Sequence, residues 1–208
     1  MDLSLHGINI PRNWPTEVGT DVPLRYVWHS CRTDLRDLLY TKHELEDLDR
    51  VNQQTRWLKG IAAAVADNST TPSPFFHVSK TSKGAYYFAE SGQRFRGEHP
   101  DDQIFAQIDL LAMYQDGIIG PESLIDISTH EAVRTLFWPL LEHQHNFSKA
   151  EQHQLHKVLL RGPRDHEMLL CWRGCVDPHY INMMTKPPLC TVACNLGTIL
   201  ERIRGIEK

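Results

Sequence analysis

Asp165-His166-Glu167-Met168-Leu169-Leu170-Cys171-Trp172-Arg173-Gly174 is an acidic turn that runs straight into an apolar, strand-like segment. It sets Glu167 at the mouth of a buried strand, where a charge costs several kcal/mol unless something needs it. Two upstream stretches have a related design. Pro23-Leu24-Arg25-Tyr26-Val27-Trp28-His29-Ser30 carries an arginine at the head of a strand candidate, Leu24 to Trp28. Ser73-Pro74-Phe75-Phe76-His77-Val78-Ser79 ends a compact apolar strand candidate, Phe75 to Val78, on a hydroxyl.

Around these strands the hydrophobic periodicity places helices. Leu45, Leu48, Val51, Leu58, Ile61 and Val65 predict one or two helices over 42–66, stopped by the polar, proline-bearing segment 67–74. Hydroxyls from Ser79 to Ser82 offer caps for a helix through Ala85, Phe88 and Ala89. Ile104 to Leu110 reads as a strand. Ser128-x-x-Glu131 and Ser148-x-x-Glu151 each match the capping box that starts a helix. Beyond the acidic turn, Met168 to Trp172 reads as a strand and Pro178 to Met184 as a short helical turn. Leu189 to Ala193 reads as a further strand and Leu196 to Ile206 as a closing helix. Strands and helices mingle without regular βαβ alternation, so the class expected is α+β. Residues 1–22 read as an extended lead-in to a single domain over 23–208.

Composition narrows the function classes. With 208 residues, 41% of them hydrophobic, the chain can bury one substantial core. A formal charge of -4 gives no electrostatic case for nucleic acid. No run of about 18 apolar residues is present to cross a bilayer, and the first residues lack a basic, apolar leader. Five cysteines, an odd number without such a leader, favour reduced thiols and a cytoplasmic or nuclear setting. No glycine-rich phosphate loop occurs.

The order of these motifs resembles the ADP-ribosyltransferase-like fold, and more closely a divergent domain common in filamentous fungal proteins. That domain has an arginine strand, a Ser-Pro-Phe strand with an Ala-rich helix, an Ile-Asp strand and a late His-Glu strand. Here these correspond to Arg25 to Ser30, Ser73 to Ala89, Ile108-Asp109 and His166 to Leu170. The resemblance implies mostly antiparallel sheets flanked by helices, NAD as substrate, and transfer of ADP-ribose to a protein or other acceptor, or NAD glycohydrolysis. It makes Glu167 the catalytic acid, Arg25 the pyrophosphate and ribose contact, and Ser79 the hydroxyl that orients the acid. It puts Asp165 at the acceptor and His29, Phe76, His77 and Tyr86 around the cofactor, with Phe75 a further candidate for the nicotinamide pocket. His77-Val78-Ser79 stands where the family has Ser-Thr-Ser, so two of three hydroxyls are replaced.

The residue types suit that chemistry. As the nicotinamide bond breaks, the ribose carbon gains oxocarbenium character, which a nearby carboxylate stabilises. Arginine offers planar paired donors to a pyrophosphate, and aromatic faces stack on nicotinamide. Plainer readings stand beside these. Arg25 can lay its stem on apolar surface, Ser79 can cap a helix, and Glu167 can be a solvated strand-end acid. A non-catalytic module with the same fold is the alternative from another class. Cys171, Cys175, Cys190 and Cys194 form two C-x3-C pairs that read as buried small residues more readily than as a zinc staple. The histidines of 143–156 lack acidic or Cys partners at ligand spacing, so no metal is expected.

Overall fold

The computed structural model describes residues 4–5, 8–31, 54–66, 75–96, 103–171 and 176–185. The elements run β1 (Ser4–Leu5), β2 (Ile8–Asn9), β3 (Tyr26–Cys31), α1 (Gln54–Ala66), β4 (Phe76–Ser79), α2 (Ser82–Arg96), β5 (Ile104–Asp109), α3 (Leu110–Gln115), β6 (Leu124–Asp126), α4 (His130–Leu141), α5 (Lys149–Asp165), β7 (Glu167–Leu170) and β8 (Ile181–Met184). The class is α+β. Strands β3 to β8 form one antiparallel sheet in the order β6-β7-β4-β3-β5-β8, while β1 and β2 pair separately.

Side chains alternate across a strand, so the register assigns the two faces. On one face Val27, Phe76, Val78, Ala106, Ile108, Met168 and Leu170 pack with Ile10, Trp14 and the residues of α3. On the other, Ile125, Leu169 and Cys171 pack under α1, α4 and α5. Trp28 and Phe105 there pack beneath Ala85 and Ala89 of α2. Each fully buried side chain of this size contributes about 1.5–3 kcal/mol. The expected lead-in therefore does structural work: Ile10 and Trp14 are both buried, and the Trp14 indole donates to the Leu24 carbonyl at 2.8 Å.

Several expectations change in detail. The stretch from Pro178 is a single turn, Pro178–Tyr180, followed by strand β8 rather than more helix. Ile181 and Met183 alternate onto the apolar face, and β5 takes β8 as its outer partner. Ser148 forms its capping box with Glu151. Helix α4 is capped by Thr129 instead of Ser128, because the Ser128 hydroxyl is turned inward to donate to Asp126 at 2.6 Å. Of the stretch 42–66 expected to be helical, residues 54–66 are helix and 42–53 lie outside the described residues, as do the residues expected to form a strand at 189–193 and a helix at 196–206.

Candidate functional site

The topology gathers three motif strands that are far apart in sequence. β4 lies between β3 and β7, with Trp28 opposite Ser79 and Ser79 opposite Glu167. Gln107 and Asn182 extend this row across β5 and β8, so Asn182, Gln107, Trp28, Ser79 and Glu167 share the helix-covered face. Because the strands alternate in direction, the start of β3, the end of β4 and the start of β7 meet at one end of the sheet. Arg25 stands just before β3 at that end. Strand spacing and rise put its Cα about 14 Å from that of Glu167.

Glu167 is 1% exposed. Its Oε1 lies 2.6 Å from Nδ1 of His77, which donates to it. Among the described residues Oε2 has no hydrogen-bond partner. A buried carboxylate ordinarily accepts several bonds, so one filled on a single side calls for an explanation. The Arg164 guanidinium, 55% exposed, supplies a nearby positive charge; it grips Asp165 through two bonds, and Asp165 with Glu167 holds it above its ordinary pKa.

The Ser79 hydroxyl, expected to orient Glu167, is bonded elsewhere: it donates to the Asp165 carbonyl at 2.7 Å and accepts from the Thr81 amide at 3.2 Å, and among the described residues the side-chain bond of Glu167 is with His77. Asp165, expected at the acceptor, is 1% exposed and its carboxylate is already bonded by the guanidinium of its neighbour Arg164. Arg25 pairs with Asp109 through Nε and Nη2 at 3.1 and 3.0 Å, which raises its pKa, and its guanidinium lies 4.9 Å from the Tyr26 ring. Two of its five N–H donors are thereby used, and the side chain remains 43% exposed.

The residues expected around the cofactor divide between the two faces. His29 and Phe76 pack with their rings tilted at 33° and centroids 4.5 Å apart on the face opposite Glu167, where the His29 ring also meets the His77 carbonyl at 2.7 Å. They do not join a pocket with His77 and Tyr86, because the sheet lies between. Tyr86 stacks on Phe105 at 6.1 Å, above β5, which is three strands from Glu167. Phe75 is buried under the helices with Leu169. Trp28, directly beside Ser79 in the row, is the aromatic that sequence reasoning missed. Period-two counting from Ser79 finds it only once the pairing of β3 with β4 is known.

Two turns lock this end of the sheet. The Lys80 amide donates to the His166 carbonyl at 2.9 Å, and the Thr81 hydroxyl meets the His166 ring at 3.0 Å while capping α2 through the Gly84 amide. Helix α2 lies so close that a Cβ on Gly84 would sit 2.1 Å from both the Asp165 carbonyl and the Ser79 hydroxyl, which only glycine avoids. His166, between the two acids, adopts a left-handed φ of 48° and ends α5 by donating its amide to the Gly162 and Pro163 carbonyls. A non-glycine residue there stores of order 1 kcal/mol or more of strain, a feature that clusters at functional sites.

Among the described residues there is no group of three or more His, Cys, Asp or Glu placed to hold a metal, and no helix long and apolar enough to cross a membrane. Cys171 is buried, while Cys175, Cys190 and Cys194 lie outside the described residues. A scan against family models and searches of curated proteins and of solved structures return no match to this chain.

Proposed function

We propose that the β3–β4–β7 end of the sheet handles NAD, and that Glu167 is the acid of an ADP-ribosyl transfer or NAD glycohydrolysis. The observation that carries the reading is the buried Glu167 carboxylate, bonded by His77 on one oxygen and without a hydrogen-bond partner on the other among the described residues. A buried polar group left half satisfied calls for an explanation, and a catalytic role completed by a ligand is one that fits a carboxylate at a strand mouth. In this reading the open Oε2 faces the ribose. The C1′–N bond breaks with its electron pair leaving on neutral nicotinamide, the carboxylate stabilises the cationic C1′, and water or an acceptor nucleophile adds to C1′ and loses a proton. The three unused donors of Arg25 take the pyrophosphate.

A second reading is favoured by a specific observation. The Ser79 hydroxyl and the Asp165 carboxylate are both engaged within the chain, and Glu167 is nearly inaccessible, which suits a module that keeps the fold and binds without catalysis. Nicotinamide release from NAD by the purified chain separates the two. Release by wild type and its loss in Glu167→Gln is the expected result. NAD-induced thermal stabilisation without release selects the binding module, and neither signal contradicts both.

A further inference from the structure

The geometry points to His77 as the positioning residue of Glu167, taking over the task that a strand-end hydroxyl was expected to perform. Its place in the reaction rests on the NAD reading above; the pairing itself does not. His77 and Glu167 sit on the same face of neighbouring strands, two residues apart in register, and their side chains meet diagonally at 2.6 Å. Both are withdrawn from solvent, at 12% and 1% side-chain exposure, so the contact is not weakened by water. Ser79, directly opposite Glu167, is turned away to the Asp165 carbonyl.

The consequence is directional. An Nδ1–H donor fixes which carboxylate oxygen is held, so rotation about the last side-chain bond of Glu167 is restricted and Oε2, which has no partner among the described residues, is presented in one orientation. His77 thus acts through Glu167 rather than on the nucleotide, which replaces its expected role as a cofactor contact.

Imidazole nitrogen resonances of the 15N-labelled full chain test the pairing, with the His77 signals assigned by their loss in His77→Asn. In wild type Nδ1 should read as a protonated donor in a single tautomer. Glu167→Met should redistribute the tautomers, whereas Ser79→Ala, or Ser79→Cys if the alanine variant does not fold, should leave the pattern unchanged. A pattern indifferent to Glu167→Met, or one that collapses in the Ser79 variant, overturns the assignment. Nicotinamide release supplies the functional arm. His77→Leu should lower kcat roughly 10- to 100-fold with KM for NAD held, and His77→Asn, whose amide N–H falls near the Nδ1 position, should recover most of it. A rise in KM with kcat held would make His77 a nucleotide contact and overturn the positioning role. If wild type releases no nicotinamide, the NAD reading fails while the nitrogen spectra still decide the pairing.

Discussion

Strand β4 and the turn that follows it send one basic side chain to each face of the sheet, and the two meet acids in different ways. On the N-terminal side Lys80, its side chain 4% exposed, donates to Asp126 at 2.6 Å and to the Thr16 carbonyl at 2.9 Å. Asp126 in turn accepts from the Ser128 amide and hydroxyl on its other oxygen, at 2.9 and 2.6 Å. Both oxygens are engaged, and one pair ties the lead-in to β4 and β6. On the helix side His77 meets Glu167, and there one oxygen is held while the other has no hydrogen-bond partner among the described residues. The first pair satisfies its charges, which is how buried ions serve structure; the second leaves a buried acid bonded on one oxygen among the described residues, an arrangement that costs stability unless something further completes it.

The largest effect expected at this end of the sheet comes from Gly84→Ala. Helix propensity alone would favour alanine by about 1 kcal/mol, but the clash with the Asp165 carbonyl should reverse the sign and cost about 3 kcal/mol or more in urea unfolding. A stable Gly84→Ala variant would show that the two turns are not locked. The two acid pairs should respond differently to loss of one partner. Lys80→Met should cost about 1–3 kcal/mol, discounted because Asp126 is one-third exposed and keeps its Ser128 bonds. Glu167→Met, of similar volume, removes a buried acid but leaves the His77 Nδ1–H without its acceptor, so the two effects offset and the net change should stay within about 1 kcal/mol. Equal losses for both would erase the distinction between the pairs.

Acid separates the regions further. Burial, followed by the charge of Lys83, lowers the pKa of His166, so the folded state resists its protonation. Stability supplied by neutral His166 is full above the unfolded value of about 6.5 and falls as pH drops through and below it. At the surface, hydrogen bonds from Lys59 and then Ser148 hold Glu151 down to about 2. Its contribution is present above about 4.5 and is lost only as pH falls toward 2. Thermal unfolding across pH should show an early loss that His166→Asn reduces and a later one that Glu151→Gln reduces. The smallest effect should be Thr129→Ala, about 1 kcal/mol for the lost α4 cap.

Much of this contrast was legible before the fold. The apolar runs at Phe75, Ile104 and Met168 mark three strands, and Ser148-x-x-Glu151 marks the start of α5, because period and capping are local properties. β6 escaped notice because a three-residue strand has no period to detect, and α3 because its six residues continue the apolar run of β5. The site was legible in its parts and not in its assembly. Arg25, Ser79 and Glu167 do come to one end of the sheet, but which faces Phe76, His29 and His77 take depends on strand pairing, which is not local. That His77 holds the acid, while Ser79 fastens a turn, follows only from the register.

The most direct test of Glu167 as a buried acid kept for a ligand is urea unfolding of wild type and Glu167→Met, each with and without saturating NAD. Without NAD the variant should lie within about 1 kcal/mol of wild type; with NAD only wild type should gain, by about 2.7 kcal/mol at a hundredfold excess over its dissociation constant. A variant less stable than wild type by about 3 kcal/mol or more, with no gain from NAD in either protein, would make Glu167 a structural residue and contradict the account.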